Sequence, residues 1–296
     1  MTAHRRTDSA AASVGRPGNG GNLSGPPPMK KSREKFRNVR PFVLMRSNVV
    51  IYEGPSVFTG NPILVIATRH TSNRAIGPMI QFWVLPAISP LEAVKIGRDA
   101  DVCGECKYRN GGHGQTKGRG CFVEWWRSPE NIWQAREQAE DMTPAFFAAC
   151  YPGKQYRITG YGDPVAVPLE VWAPLIKVAG GWTAHTHAWW RPEAEPFRAW
   201  CMASVDTLDE QTAAAHMGWR TYRVRAFGGT VLKDEAICPK TEEGGYRATC
   251  ATCSLCRGQA RPAANIVCAA HGPNARNAIR IITRETHQQQ ERGQCQ

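Results

Sequence analysis

No stretch of this chain comes near the roughly eighteen consecutive apolar residues that a membrane-spanning helix requires. The opening run MTAHRRTDSAAASVGRPGNGG carries charge with no apolar segment after it, so no secretory signal is read there, and a cytoplasmic protein without a membrane partner is expected. Two common catalytic signatures are also missing. There is no Gly-x-x-x-x-Gly-Lys-Ser/Thr phosphate loop and no Gly-x-Ser-x-Gly elbow, which leaves nucleotide hydrolysis of that type and α/β-hydrolase chemistry without their motifs. The segment GYGDP is too short for a dinucleotide fingerprint, and no fixed period repeats along the chain, which argues against a solenoid.

Acidic residues are in deficit: 25 Asp and Glu face 37 Lys and Arg, for a formal charge of +12. The excess is concentrated, because residues 1–40 hold nine Lys or Arg against Asp8 and Glu34, leaving only about +5 for the rest. That segment, with GRPGNGGNLSGPPPMKKSREKFR in it, lacks apolar periodicity and reads as a disordered basic tail able to meet nucleic acid through phosphates; a solvated arm has the same composition. Beyond it the texture changes. With 296 residues and 42% hydrophobic content the chain can bury a substantial core. Residues 41–275 read as a single domain and 276–296 as a flexible C-terminal tail.

From Pro41 the apolar runs FVLM, NVVIY, PILVIAT and MIQFWVLP, separated by turn-forming Gly, Pro and Asn, predict strands. Ser128 with Pro129, and Thr143 with Pro144, are cap and first-turn pairs that predict two helices. The second half then alternates. QYRITGYGDP, GWTAHTHAWW, RAWCMASVD, WRTYRVRAF and ANIVCAAHG are strand-like, while PLEVWAPLIKVAG and TLDEQTAAAHMG are helical. Such alternation implies parallel strands joined by crossovers. The expected fold class is α/β, a parallel β/α partial barrel-like domain with cysteine-rich metal-binding insertions, with an open doubly wound sheet as the alternative.

Either architecture gathers functional groups at the carboxyl ends of the strands. Asp163, His185, His187, Ser204, Asp206, Arg223, Arg225, Cys238, Cys268 and His271 stand there, and Asp163, His185, His187, Asp206 and Arg225 are the candidate catalytic residues. Each also has an ordinary reading, such as a helix cap for Asp206 just before TLDE. Ten tryptophans, some paired as in Trp125-Trp126 and Trp189-Trp190, could stack bases, although core packing is their commoner use.

In a reducing compartment, eleven cysteines are not expected to form a disulfide framework, and clustered thiols there bind metal or take part in catalysis. Cys150, Cys201 and Cys295 stand apart and read as scattered buried thiols. Cys103, Cys106 and Cys121, with His113 in the intervening Gly-rich insert, offer either a tetrahedral zinc site or three corners of an iron cubane with one iron left open. The second group is Cys238, Cys250, Cys253 and Cys256, with Cys268 beyond. Its Cys-x-x-Cys-x-x-Cys core lets three sulfurs of one short loop face one cluster while a more distant cysteine closes the fourth corner. An iron-sulfur cluster of the 4Fe-4S type is favoured as the cofactor, with zinc as the alternative.

The segments TSNRAIGPMIQFWVL, DVCGECKYR, GCFVEWW, RITGYGDPVAVPLEVW, GWTAHTHAWW, WCMASVDT and CPKTEEGGYRATCATCSLC together resemble a family of uncharacterised proteins encoded by phages and bacterial mobile elements, over about residues 60–270. Ala75 and Ala188 stand where that family commonly carries a basic and an amide side chain. The resemblance implies phage origin, residence in the host cytoplasm and a shared architecture, without a reaction. The chain is also distantly similar to radical S-adenosylmethionine enzymes, although their Cys-x-x-x-Cys-x-x-Cys triad is absent.

Two functions from different classes follow. One is a metalloenzyme with its site at the strand ends and an open iron on Cys103, Cys106 and Cys121; Asp163→Ala or His187→Ala should then abolish activity with fold and metal intact. The other is a non-catalytic, zinc-stapled module that binds nucleic acid or a host protein. In that case those changes should be nearly silent, and deleting residues 1–40 should weaken a salt-dependent interaction.

Overall fold

The computed structural model describes residues 48–71, 73–109 and 118–294. The basic tail 1–40, the run FVLM, His113 and Cys295 lie outside the described residues. The predicted strands β1 (Asn48–Pro55), β2 (Pro62–Thr68) and β3 (Ile80–Pro86) form in place and pair antiparallel in chain order. Helix α1 (Pro90–Ile96) starts on a Ser89 cap with Pro90 in its first turn and ends on Gly97 at φ 80. Next come α2 (Ala100–Cys103), α3 (Ser128–Gln134), β4 (Glu140–Asp141) and α4 (Pro144–Cys150), the last capped by the Thr143 hydroxyl as the sequence predicts.

The second half follows the predicted alternation. It comprises β5 (Gln155–Tyr161), α5 (Leu169–Val178), β6 (Gly181–Thr183), β7 (His185–Thr186), β8 (Met202–Val205), α6 (Leu208–His216) and β9 (Thr221–Arg225). After these come β10 (Glu235–Ile237), α7 (Cys250–Cys253), β11 (Asn265–Ala269) and α8 (Ala275–Gln294).

The strands form two sheets, ordered β4-β1-β2-β3-β5-β6 and β10-β11-β9-β8-β7. From β3 onward every pairing between neighbours is parallel, so the chain is a mixed α/β protein with mostly parallel strands. Only Ala184 separates β6 from β7. Its N–H donates to the Cys256 carbonyl at 3.0 Å and its carbonyl accepts from the Met202 N–H at 2.9 Å, so one short extended segment supplies an edge to each sheet.

Strand alternation divides the side chains between two faces. Phe82 of β3 meets Phe147 of α4, Tyr156 of β5 and Trp172 of α5 edge-on, with centroids 5.4–5.8 Å apart, and anchors the apolar core on the helix side of the first sheet. Its neighbours Gln81 and Trp83 face the opposite way, into a cavity.

The C-terminal segment departs from the sequence expectation. Residues 276–296 read as a flexible tail, yet through Gln294 they belong to helix α8. Ala278 is fully buried, Asn274 and Asn277 donate to the carbonyls of Cys121 and Arg119, and Glu285 pairs with Lys107. The high polarity of THQQQERGQ hides this helix, because a single buried stripe around Ala278 and Ile282 suffices to dock it.

Candidate functional site

A cavity of about 260 Å³ opens on the face of the parallel strands opposite the main core. Arg157 and Thr159 of β5, Thr183 of β6, His185 of β7, Ser204 of β8 and Tyr222 of β9 point into it, one strand after another. Both cysteine groups also reach it, Cys103, Cys106 and Cys121 as one set and Cys238, Cys250 and Cys256 as the other. Sequence spacing alone left open whether the two groups meet in space; they line one cavity.

The second group is built around a helical turn. The Thr249 hydroxyl caps α7 by accepting from Thr252 N–H, which sets Cys250 and Cys253 one turn apart, and Ser254 at φ 47 then reverses the chain so that Cys256 returns to the cavity. The NRAIG segment is the dock for this turn. Ala75 and Ile76 carbonyls accept from Cys250 and Ala251 N–H, at 3.2 and 2.9 Å. Gly77 is at φ 79, and a Cβ there would stand 2.8 Å from the Thr249 hydroxyl oxygen, so both its conformation and its contact demand glycine.

Arg220 clamps the return segment through the carbonyls of Leu255, Gly258, Arg261, Ala263 and Ala264, and Arg261 binds the Cys253 carbonyl at 2.8 Å. Replacing Arg220 with Ala is therefore expected to lower stability by on the order of 3 kcal/mol, read by thermal unfolding. Lys at this position should rescue little, since an ammonium cannot fork to five acceptors.

Cys238 joins this loop from the end of β10, and burial first, then the nearby Cys238, Cys250 and Cys253, holds the Cys256 thiol above its ordinary range. Cys268 differs. It is fully buried on β11 in a small apolar cluster, and its sulfur accepts from the Tyr222 hydroxyl at 3.1 Å. Among the described residues all cysteines are free thiols, and no three His, Cys, Asp or Glu side chains are gathered closely enough to hold a single metal ion.

Cys103 ends α2, and Cys106 follows a turn in which its N–H binds the Cys103 carbonyl at 3.1 Å. Beneath them Asp99, fully buried, pairs with Arg109 at 3.0 Å and Arg119 at 2.6 Å, and Arg119 also lies over Trp125. Burial pushes Cys103 and Cys256 well above the ordinary thiol range, Cys121 to about 11 and Cys268 to about 12. Such thiols are poor nucleophiles when free, and only coordination to a metal would readily strip their protons.

The imidazole beside the first group is His187. Burial alone would lower its pKa, but hydrogen bonding to Cys106 and the charges of Cys106, Asp206 and Asp163 prevail and push it up to about 10. His185 goes the other way, to about 3, by burial and by the charges of Arg157, Lys240 and His187. Its Nε2 is buried without a partner, and its ring meets Tyr222 edge-on at 4.7 Å.

The other candidates are placed as follows. Asp163 lines the cavity but is fully engaged: Oδ1 accepts from Val165 N–H at 3.0 Å and Thr186 hydroxyl at 2.8 Å, and Oδ2 accepts from His187 N–H at 2.8 Å. Burial raises its pKa even against these donors. Asp206 is not the cap of α6. That cap is Thr207, in a reciprocal capping box with Glu210, which leaves Asp206 buried behind the wall, 3.3 Å from Lys107. Arg225 does not line the cavity. Tyr222 and Val224 take the inward positions of β9, and alternation turns Arg223 and Arg225 to buried ion pairs with Glu235 and Glu243.

Sequence reasoning missed Arg157 and Lys240. Both line the cavity, and neither side chain has a hydrogen-bond or ion-pair partner among the described residues. The signal for Arg157 was present, since a charge alternating with apolar Tyr156 and Ile158 marks a polar inward face. One residue on, Thr159 sits at φ 70 within a bulge where β5 carries Arg157 to Tyr161 against Gln81 to Trp83 of β3. Bulges and left-handed non-glycine residues cluster at functional sites because they re-aim side chains.

Compared with protein-family models, curated proteins and solved structures, the chain matches none.

Proposed function

We propose that this protein is a metalloenzyme whose substrate enters the cavity on the parallel strands, with an iron-sulfur cluster on Cys238, Cys250, Cys253 and Cys256. The observation that carries the reading is the meeting of both thiol groups with ionisable strand residues on one cavity. A structural metal staple requires neither a cavity nor a second thiol group lining the same one. A cluster suits the spacing better than zinc. Zinc-sulfur bonds of about 2.3 Å draw four thiolates onto one point, whereas a cubane takes each thiolate on a separate iron. Cys238, Cys250 and Cys256 line the cavity, and Cys253 stands one helical turn from Cys250.

Cys103, Cys106 and Cys121 face the same cavity as a second wall of thiols, with His187 beside them. Asp163 positions His187 through its backbone N–H, and Arg157 and Lys240 bind substrate. The sheets themselves are best read as an open partial barrel, since Trp83 of β3 and Ala269 of β11 reach one adjoining cavity from different sheets. Three segments contribute to this assembly: NRAIG docks the cysteine turn, GDP supplies Asp163, and THAW supplies His187.

The test is metal and acid-labile sulfide analysis on protein purified without oxygen, with an absorption spectrum near 400 nm. Brown protein with about four irons and four sulfides per cluster is expected. Colourless protein with stoichiometric zinc would overturn the proposal and leave a zinc-stapled binding module.

A further inference from the structure

A second, larger cavity of about 560 Å³ adjoins the first and shares Phe122, Val123, Arg157, Gly160, Lys240 and His271 with it. Its volume falls in the range of about 300–1,000 Å³ typical of small-molecule sites. Phe227 and Tyr246 line this outer cavity, and at 74% and 68% exposure they are the two most solvent-exposed large apolar side chains among the described residues. Exposed rings on a cavity offer flat apolar faces on which a ligand can stack. Tyr246 is also held at φ 50, a conformation that a bulky residue adopts only when its surroundings impose it.

Charge completes the pattern. Of the acids on this cavity, Glu124 is paired with Arg127 and Glu243 with Arg225. Glu242 is the acid left over, against the unpartnered cations Arg157 and Lys240. The cations lie where the outer cavity joins the inner one, and the exposed rings lie on the outer cavity alone. A ligand matching this arrangement is flat and aromatic at one end and anionic at the other.

We propose that the outer cavity binds a nucleotide, its base stacking on Phe227 and Tyr246 and its phosphate directed to Lys240 and Arg157. The inference rests on the inner cavity being the place of chemistry and is independent of which metal is held. Stacking on aromatic rings accepts any base, because every base has a π-face. The nucleotide is either free or part of a single strand; the recognising chemistry is the same.

The experiment is a fluorescence anisotropy titration of the full chain, at one fixed ionic strength, with a fluorescein-labelled oligothymidylate as probe and thymidine monophosphate as competitor. Iron and zinc are assayed on the same samples. Phe227→Ala and Tyr246→Ala, both at exposed positions, should each weaken binding about tenfold with metal content unchanged, and Lys240→Gln should weaken it and flatten the salt dependence. Competition by the monophosphate identifies a free nucleotide, and binding of the oligonucleotide alone identifies a nucleotide within a strand; either result supports the site. Wild-type affinity in both aromatic variants would overturn it and assign binding to phosphate contacts elsewhere, the basic tail included. Failure of the wild type to bind either probe would overturn it as well. Aromatic-dependent binding by a protein that holds no iron would sink the iron-sulfur reading and leave the nucleotide site standing.

Discussion

Cys256→Ala is expected to remove nearly all bound iron and sulfide from protein purified without oxygen, while Cys268→Ala is expected to retain both. Both thiols belong to the second cysteine group, so composition and spacing cannot separate them. Their surroundings do. Cys256 faces the cavity among Cys238, Cys250 and Cys253, and its segment is fixed by the Arg220 clamp and by the Ala184 N–H on its own carbonyl. A cluster deprived of one of its four ligands could be completed only by drawing in Cys268, whose sulfur is already engaged by the Tyr222 hydroxyl.

Cys268 lies in an apolar cluster with Met202, Val224, Cys238 and Ile266 and does not line the cavity, and its sulfur already accepts from the Tyr222 hydroxyl. Its removal should cost about 1–3 kcal/mol of stability by leaving that hydroxyl unpaired. Iron and sulfide assays with thermal unfolding of both variants check the contrast. Loss of the cluster in Cys268→Ala and its retention in Cys256→Ala would move the fourth corner to Cys268, the more distant cysteine that the spacing also allows.

The pattern of elements was legible because it depends on local rules. Strand runs such as PILVIAT, the Thr143-Pro144 start and the alternation after residue 155 all form where periodicity and caps place them. The short strand β10 was missed, since EAI carries too few residues to show a period and forms by pairing with β11. Helix α8 was missed for the complementary reason, its few buried residues being outnumbered by polar ones.

For the site, placing functional groups at strand ends found Asp163, His185 and His187, all on the cavity. It misassigned the side of β9 because it ignored the period of two: Arg225 shares a face with Arg223 and not with Tyr222. Lys240 carried no local signal at all. Its place on the cavity comes from the loop that follows Cys238, and only the fold reveals it.

Asp163→Ala is expected to destabilise the protein by on the order of 4 kcal/mol, against the expectation from sequence that folding would survive intact. The carboxylate accepts from three donors, two of them on buried residues: Val165 N–H, the fully buried Thr186 hydroxyl and the half-buried His187 N–H. Alanine leaves all three unsatisfied and unties the end of β5 from the end of β7. Asparagine keeps one carbonyl oxygen but turns an amide toward a donor, so Asp163→Asn should lose roughly half as much. Loss of activity in the alanine variant therefore cannot by itself assign a proton-moving role to Asp163. Thermal unfolding of both variants, together with metal content of the folded fraction, separates the possibilities. If Asp163 acts by positioning, iron stays bound in both variants, because no cysteine depends on this carboxylate for a hydrogen bond, and Asp163→Asn recovers stability and activity together. If the asparagine variant regains stability and stays inactive, the carboxylate itself takes part in the chemistry, and His187 is not its only point of action.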